Sequence, residues 1–309
     1  MNFDKRACPA CGRQEHVVLF AIRPEQFGRI NWTYRPDFAA IMDVAEDTPF
    51  PIVRCRGCGF VYAFLLPDNE ALGRLYDVVI DDERAYLESE GPQWMAHQLR
   101  LAGLALEETG ARFPDTQPLK ILDFGCGYGR IMIALSGPRV ECLGFETSVR
   151  CLEQLEKRGL AATGDVDQLR KRGPYHSIVL SDVLEHVARP REVLSLCRSL
   201  LVPQGILCLN VPQFESLRDV ARDLQAGRTV TRGVNPWEHL NYFSRVSLRK
   251  MLVAEGFRPI PLSGPIDVGL RLTRPGIRRW GNLVKSMGRL LRHFHERSGL
   301  GTTVCAEPA

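Results

Sequence analysis

The hydrophobic pattern of this 309-residue chain switches between two periods along its middle part. Short apolar runs rich in valine, isoleucine and leucine predict strands, and apolar positions three or four residues apart predict helices between them. The predicted strands cover 119–124, 140–145, 160–163, 177–181 and 205–211, and the predicted helices run to 136 and cover 148–158, 166–171 and 190–201. This alternation predicts an α/β fold whose parallel sheet is covered by helices on both faces.

The C-terminal part predicts one more helix and two more strands. A helix over Ser247–Glu255 ends at Gly256, a strand follows at Phe257–Leu262, and a closing strand appears only at 302–306. The segment between these strands, about 268–299, carries apolar residues at helical spacing opposite arginines and lysines, which predicts a basic amphipathic helical insert. We expect 277–297 to pack on the domain, to form a dimer, or to contact a membrane surface or an acidic partner.

A glycine loop joins the first predicted strand of the sheet to the helix that follows it. The strand ends in Asp123, glycines alternate at Gly125, Gly127 and Gly129, and a helical pattern begins directly afterwards. Glycines allow positive φ and close approach of a ligand to the backbone, and the helix N-terminus offers unpaired N–H groups. The spacing differs from the G-x-G-x-x-G fingerprint of dinucleotide-binding proteins, so we predict a ligand with an amino acid end instead of a pyrophosphate.

Other polar residues follow the next strands of the predicted sheet. Glu146 ends the second strand, Asp165 and Val166 follow the third, and Ser181 ends the fourth. Because ligands of open α/β sheets bind at the carboxyl ends of the strands, these residues and Asp123 are predicted to share one site. A carboxylate at the position of Glu146 can accept both hydrogen bonds of a ribose diol.

Two C-x-x-C-G motifs occur near the N-terminus, at Cys8/Cys11 and at Cys55/Cys58. Each motif forms a tight turn, and two of them supply the four thiolates of a tetrahedral zinc site. A closed set of four ligands leaves no position for water, so we expect a structural Zn²⁺ that stabilises residues 1–66. The other six cysteines are scattered through strands and helices, where most should be small buried residues.

The D-x-G-x-G-x-G loop resembles the first motif of class I S-adenosylmethionine-dependent methyltransferases. This resemblance implies a Rossmann-like seven-stranded sheet and a cofactor site that includes the loop glycines, Asp123 and Ser181. In that family, the acid at the position of Glu146 binds the ribose, the acid at Asp165 meets the adenine amine, and Val166 would line the adenine ring. The cofactor implied is S-adenosyl-L-methionine.

Two further strings resemble methyltransferases that act on small molecules. Val183-Leu184-Glu185-His186-Val187 is similar to enzymes of the ubiquinone-pathway type, and Glu238-His239 with Tyr242-Phe243-Ser244 resembles zinc-bearing sugar C-methyltransferases. The second resemblance implies acid and base roles for Glu238 and His239, but Pro236 stands where those enzymes have a tyrosine. His239 is our first choice of general base, because an imidazole titrates near neutral pH, with His186 second. Glu185 or Glu238 would orient the base or the substrate, whereas both histidines have alternative structural roles.

These patterns predict three regions. Residues 1–66 form the zinc-binding module, 67–115 form a helical connector or cap, and 116–309 form the methyltransferase domain with its basic insert. A connector before such a domain often covers the active site. Tyr76, Tyr86 and Trp94 are therefore candidates for substrate contact, although packing between helix and sheet also explains Trp94.

Charge and composition restrict the classes of partner. The net charge is +4, but the stretch 271–297 holds eight basic residues and one acid, so subtracting its +7 leaves −3 for the rest. A near-neutral body with one basic segment favours an enzyme over a nucleic-acid binder. The first residues lack an apolar signal segment, and no stretch has the length of a membrane span, so we expect a cytoplasmic protein.

The sequence therefore predicts methyl transfer from S-adenosylmethionine to an oxygen or carbon of a small molecule, such as a sugar, a secondary metabolite or a glycan precursor. Two alternatives stay open. One is an RNA-modifying methyltransferase that uses the zinc module and the basic segment to bind nucleic acid. The other is a scaffold that binds S-adenosylmethionine without catalysis.

Overall fold

The computed structural model describes residues 3–27, 40, 43–45, 47–68, 92–212, 217–226, 234, 236–260 and 302–309. Several sequence predictions lie outside these residues: the contacts of Tyr76 and Tyr86, the part of the connector at 69–91, and the basic insert at 268–299. The side chain of Trp94 is also outside, although its backbone belongs to a described helix.

A seven-stranded sheet forms the centre of the described chain. Five parallel strands, β6 (Leu119–Phe124), β7 (Val140–Phe145), β8 (Ala162–Thr163), β9 (Tyr175–Ser181) and β10 (Leu201–Val211), are joined by β12 (Phe257–Ile260) and β13 (Thr302–Pro308). The order across the sheet is β12-β13-β10-β9-β6-β7-β8. Only β13 runs antiparallel to its neighbours β10 and β12. The predicted Rossmann-like seven-stranded sheet is confirmed.

Helices cover both faces of this sheet because successive residues of a strand point to opposite faces. Ile121 and Val179 pack with Leu101 and Ala105 of helix α2 (Pro92–Arg112) and with α3 (Arg130–Leu135). Leu122, Ile178 and Leu180 face the other side, in one cluster with apolar residues of α5 (Val166–Arg172), α6 (Pro190–Leu200) and α8 (Arg245–Ala254). The helix α4 (Val149–Lys157) lies between β7 and β8 in the chain. The two-sided burial predicted from the continuous apolar strands is confirmed.

A smaller, four-stranded sheet carries the second C-x-x-C motif, Cys55/Cys58, at the turn between two of its strands. Its strands are β2 (His16–Ile22), β3 (Phe50–Cys55), β4 (Val61–Ala63) and β11 (Asn241–Tyr242), in the order β11-β4-β3-β2. The strands β1 (Phe3–Lys5) and β5 (Leu65–Pro67) pair beside it, and the short helices α1 (Pro24–Phe27) and α7 (Leu217–Gln225) complete the described elements. Strand β11 lies in the region 116–309 that the sequence assigns to the methyltransferase domain, so the small sheet combines strands from two predicted regions.

Element boundaries differ from the predicted ones where local hydrogen bonds decide them. Helix α8 begins at Arg245 instead of 247, because Ser244 accepts from the Ser247 amide and Ser247 Oγ accepts from the Ser244 amide, a reciprocal cap. Strand β10 starts at Leu201, directly after α6, and β8 is shorter than predicted, at two residues. Of the six cysteines outside the paired motifs, four are buried: Cys126, Cys197, Cys208 and Cys305.

Asn241 joins the small sheet to the large one. Its Nδ2 donates to the carbonyl oxygens of Leu184 and Val187, each at 2.7 Å, and its Oδ1 accepts from Arg6 at 2.5 Å. The Arg6 guanidinium also lies 5.3 Å from the centroid of the Tyr62 ring, and burial lowers its pKa to about 10, so it stays charged at neutral pH. One fully buried amide therefore ties the loop after β9 to the N-terminal segment.

We expect Asn241→Ala to lower the free energy of unfolding by about 2–4 kcal/mol, because it removes the hydrogen bonds to the Leu184 and Val187 carbonyls and the acceptor of Arg6 from a buried position. Urea denaturation of the variant and of Glu156→Ala, an exposed helix position, measures the difference. A loss no greater than that of Glu156→Ala would show that Asn241 does not hold the two sheets together.

Candidate functional site

The glycine loop between β6 and α3 has the backbone that its sequence predicts. Gly125, Gly127 and Gly129 all have positive φ, at 77°, 49° and 78°. A Cβ at Gly125 would lie 2.6 Å from Val183 Cγ2, and a Cβ at Gly129 would lie 2.5 Å from Leu155 Cδ2. Next to Gly127, by contrast, nothing lies within 4 Å of the Cβ position. The first and third glycines thus have neighbouring side chains where a Cβ would lie, while the second faces open space.

Asp123 lies at the end of β6 and is 1% exposed. Its Oδ2 has no hydrogen-bond partner among the described residues. Burial, with a smaller contribution from the charge of Glu146, raises the pKa of Asp123 to about 7. A buried carboxylate of this kind is stabilised by a cationic ligand such as an ammonium group.

Glu146 holds the glycine loop in place. Its Oε2 accepts from the Gly127 amide at 2.9 Å, and its Oε1 accepts from the amides of Thr147 and Ser148 at 2.7 and 2.9 Å. Three of the roughly four acceptor positions of the carboxylate are thereby used. A ribose diol bound by both oxygens would have to replace one of these bonds, so the predicted ribose contact stays a prediction.

Asp165 and Val166 lie at the start of α5, after the short strand β8. Asp165 caps this helix, since its Oδ1 accepts from the Asp167 amide at 2.9 Å. Val166 is half-buried and packs against the large cluster of the sheet. The structure thus gives both residues a local role at the strand end where the sequence predicts an adenine contact, and that contact stays a prediction.

The end of β9 carries a buried polar network. Ser181 Oγ donates to Asp182 Oδ2 at 3.0 Å, and Asn210 Nδ2 donates to Asp182 Oδ1 at 2.9 Å. Asp182 has a positive φ of 55°, which is strained for a residue other than glycine. Burial raises its pKa, while the bonds from Ser181 and Asn210 and the charge of His239 act in the opposite direction. The network fixes the turn from which the next residues enter the site.

Glu185, His186 and His239 meet beside this network. One possible ligand atom from each of the three lies within 4.8 Å of the others. The rings of His186 and His239 are 4.8 Å apart, and His186 Nδ1 donates to the Glu238 carbonyl oxygen at 3.1 Å. Burial lowers the pKa of His186, and His239 lowers it further, so this imidazole is neutral at neutral pH. Glu185, His186 and His239, which the sequence predicts as catalytic residues, therefore lie together. Glu238 contributes its backbone carbonyl.

Backbone hydrogen bonds hold the two segments that carry this group. The amides of Leu240 and Asn241 both donate to the Glu185 carbonyl oxygen, at 2.7 and 3.0 Å. The Glu185 side chain is fully buried, and neither carboxylate oxygen has a hydrogen-bond partner among the described residues. Burial raises its pKa well above the ordinary value, the charge of Asp182 adds to the effect, and the backbone amide of Glu185 itself acts in the opposite direction.

Asp182, Asn210 and Asn241 are site residues that pattern reasoning missed. Asp182 and Asn210 lie in apolar strand contexts, and only the pairing of β9 with β10 places them side by side. Asn241 stood inside the Glu238–Ser244 string without an assigned role. A buried polar residue at a strand end was the available signal, because such a group requires partners.

The four N-terminal cysteines converge as predicted. Sγ of Cys8 lies 3.6 Å from that of Cys58, Sγ of Cys11 lies 3.5 Å from that of Cys55, and all four atoms lie within 4.8 Å of one another. Zn–S bonds of about 2.3 Å place tetrahedral sulfurs about 3.8 Å apart, so this geometry fits a zinc ion. The Gly57 amide also donates to Cys55 Sγ at 3.3 Å.

Comparison with known proteins identifies one family and several relatives. Residues 95–262 match the family described as methyltransferase domain. The chain is 29% identical over 180 residues to the ubiquinone biosynthesis O-methyltransferase of Caulobacter vibrioides, covering 52% of this chain and 67% of that protein. It is 27% identical over 208 residues to a 37.1 kDa protein in transposon TN4556 of Streptomyces fradiae, with 63% and 57% covered. The chain thus spans about three fifths of the length of these curated relatives.

Solved structures share the fold at low sequence identity. The plantazolicin methyltransferase BpumL in complex with SAH superposes with a TM-score of 0.51 at 13% identity, covering 77% of this chain and 93% of that one. The plantazolicin methyltransferase BamL, with SAH and a triazolic analogue, gives a TM-score of 0.52 at 11% identity, covering 76% and 92%.

None of the described helices combines the length and apolar character needed to cross a bilayer.

We expect Asp123→Asn to raise the free energy of unfolding of the ligand-free protein at pH 8 by about 1–3 kcal/mol. Because folding raises the pKa of Asp123 from 3.8 to about 7, the folded state holds the proton more tightly than the unfolded chain. The resulting stability is complete below about pH 4 and is lost as the pH rises to about 7. The amide escapes this loss, so its advantage should be smaller at pH 5 than at pH 8.

Urea denaturation at both pH values measures this difference. Glu141→Gln, an exposed carboxylate on the neighbouring strand β7, serves as the control and should change little at either pH. An Asp123→Asn variant that is no more stable than the wild type at pH 8 would show that folding does not raise the pKa of Asp123.

Proposed function

Since this chain belongs to the methyltransferase-domain family, we propose that it transfers a methyl group from S-adenosyl-L-methionine to an oxygen or carbon of a small molecule. The observation that carries this proposal is the arrangement of the site. A glycine loop with open space and a buried carboxylate lies at the end of β6, and the Glu185, His186 and His239 group lies at the end of β9, which neighbours β6 in the sheet. One part suits a cationic cofactor, and the other suits proton removal.

The loop and its surrounding acids form the proposed cofactor site. The positive φ values of Gly125, Gly127 and Gly129 shape the loop, Gly127 leaves space for a ligand beside its backbone, and Asp123 would hold the ammonium of the amino acid end. Glu146 would bind the ribose, Asp165 and Val166 the adenine, and Ser181 would complete the wall of the site. When bound, S-adenosylmethionine supplies an electrophilic methyl group on a sulfonium. The chain itself contributes alignment and exclusion of water.

The acceptor side needs a group that removes a proton, because an oxygen or carbon acceptor must lose one when its new bond to carbon forms. We assign this role to His239, which contacts the neutral ring of His186. The Glu238 carbonyl fixes the His186 ring, and the buried Glu185 lies beside both imidazoles. The nature of the acceptor as a small molecule is supported by the O-methyltransferase relatives.

Cys8, Cys11, Cys55 and Cys58 would hold a structural zinc ion. The fit of four sulfurs to a tetrahedral site supports this assignment. The ion would stabilise the turns from which β3 and β4 extend, and β4 pairs with β11, directly after His239. The proposed zinc site thus supports the acceptor side through the small sheet, at a distance from the chemistry.

We expect the purified protein to transfer labelled methyl from S-adenosylmethionine to a hydroxylated or ketone-bearing small molecule, and His239→Ala to lower kcat at least about 100-fold. Calorimetry with S-adenosylhomocysteine tests cofactor binding separately and should give the same affinity for both proteins. Val246→Ala, an exposed residue on α8 shortly after the motif, is the matched control.

Two results would contradict this proposal. Absence of heat with both S-adenosylmethionine and S-adenosylhomocysteine in folded protein would remove the cofactor site. Unchanged turnover in His239→Ala would remove His239 as the base while leaving methyl transfer in place.

We expect Cys55→Ser to reduce bound zinc from about one ion per chain to a small fraction and to lower the thermal midpoint, because it removes one of four ligands. Elemental analysis and thermal unfolding measure the two effects. Cys151→Ser, a half-buried cysteine outside the cluster, should retain zinc. Equal zinc content in Cys55→Ser and the wild type would exclude the four-cysteine site.

A further inference from the structure

Glu185 presents a problem that the proposed base chemistry does not solve. Its carboxylate is fully buried, and neither oxygen accepts a hydrogen bond from any described residue. A desolvated carboxylate without donors is unfavourable unless a proton or a cation neutralises it. Its neighbours are the imidazoles of His186 and His239 and the nearby carboxyl of Asp182, so a cation held between Glu185 and the two imidazoles would neutralise it.

The distances between these groups distinguish a hydrogen bond from shared ligation. Glu185 Oε1 lies 3.8 Å from His186 Nε2, beyond the range of about 2.7–3.2 Å for a hydrogen bond to nitrogen. Two ligands at about 2.1 Å from one metal ion are separated by up to about 4.2 Å, so 3.8 Å fits two ligands of one ion. All three ligand atoms lie within 4.8 Å of one another, so the most distant pair would have to approach by at most about 0.6 Å for opposed ligands and by at most about 1.4 Å for tetrahedral ones.

The orientation of His186 supports the same interpretation. A carbonyl oxygen only accepts, so the bond to the Glu238 carbonyl places the proton on Nδ1 and leaves the lone pair on Nε2. Metal-binding histidines commonly donate their second nitrogen to a carbonyl or carboxylate in this way. His186 therefore directs a lone pair toward Glu185, with its tautomer already fixed.

The backbone keeps the third ligand close to the other two. His239 immediately precedes Leu240, and the amides of Leu240 and Asn241 donate to the Glu185 carbonyl. Asn241 also binds the carbonyls on either side of the Glu185–His186 pair, those of Leu184 and Val187. Rigid backbone support of this kind preorganises a ligand set.

We propose that Glu185, His186 and His239 bind a divalent transition-metal ion at the acceptor side of the active site. Two imidazoles and one carboxylate suit ions such as Mn²⁺, Fe²⁺, Co²⁺ or Zn²⁺, in contrast to the thiolates of the N-terminal cluster. Three protein ligands leave coordination positions open for an acceptor hydroxyl or for two adjacent oxygens of the acceptor.

This inference rests on the proposed function and narrows its substrate class to acceptors with a chelating or ionisable oxygen. The ion would lower the pKa of the acceptor hydroxyl, whose proton leaves to water. The oxygen–methyl bond then forms as the carbon–sulfur bond of the sulfonium breaks, and S-adenosylhomocysteine is released. In that state His239 acts as a ligand, and the charge of the ion replaces its action as a base.

Titration with Mn²⁺ of protein that holds one zinc ion per chain by elemental analysis, followed by electron paramagnetic resonance, tests the site without relying on activity. Excess zinc is removed first, because Zn²⁺ binds imidazole and carboxylate ligands more tightly than Mn²⁺ does. Mn²⁺ prefers oxygen and nitrogen ligands, so the four-cysteine cluster should not contribute. The wild type should bind about one Mn²⁺ per chain, and Glu185→Gln and His239→Gln should each weaken binding at least about tenfold. Glu192→Gln, an exposed carboxylate on α6, is the matched control and should bind as the wild type does.

The outcomes separate this inference from the proposed function when calorimetry with S-adenosylhomocysteine is run on the same samples. Cofactor heat without Mn²⁺ binding overturns the metal site and leaves methyl transfer in place. Mn²⁺ binding that is lost in Glu185→Gln but occurs without cofactor heat supports the metal site and overturns the function. Equal Mn²⁺ binding in the wild type and in Glu185→Gln overturns the site. Thermal unfolding of each variant shows whether a loss of binding reflects misfolding.

Discussion

The hydrogen bonds that join residues 240–241 to the loop after β9 are the interaction on which the rest of the site depends. They connect a segment near the C-terminal end of the family match with a strand end at the centre of the large sheet. Asn241 extends the link to Arg6, and β11 extends it to β4 of the small sheet. The group formed by Glu185, His186 and His239 is therefore assembled from distant parts of the chain, and these few hydrogen bonds hold its geometry.

The electrostatics of the site follow from burying acids at the ends of parallel strands. Burial raises the pKa of Asp123, Asp182 and Glu185, each of which lies at or just after such an end. Acidic groups in this state cost stability in the ligand-free protein, and positive charge offsets that cost. A cofactor with an ammonium and a sulfonium, together with a metal ion beside Glu185, would supply that charge. The same residues thus lower the stability of the ligand-free protein and favour cationic ligands.

The small sheet connects the cysteine cluster to the segment that carries His239. Strand β3 leads into the Cys55 turn, pairs with β4, and β4 pairs with β11. A rigid turn at Cys55 therefore helps to position the segment that follows His239. The apolar residues of the module support the same link, because Cys55, Phe60 and Tyr62 belong to one cluster with residues of the large sheet. The module therefore packs as part of the central core, with contacts that extend to the methyltransferase domain.

The sequence by itself determined the alternation of strands and helices in the central α/β region, the positive-φ glycine loop and the pairing of the four N-terminal cysteines in two motifs. These features depend on local periodicity, on glycine as the residue that tolerates positive φ, and on short motif spacing, all of which can be read along the chain. It also pointed to Glu185, His186 and His239 one by one, through two strings separated by about fifty residues.

Only the tertiary structure decided that these three side chains meet, that Asn241 holds their backbones, and that Asp182 pairs with Asn210. Such contacts join residues far apart in sequence, and each depends on strand pairing and register that no local pattern records. The state of Glu185 was likewise inaccessible from sequence, because burial without a donor is a property of everything packed around a side chain. Local motifs can be recognised from the order of residues, whereas the environment that sets the charge and the ligands of a side chain arises from packing.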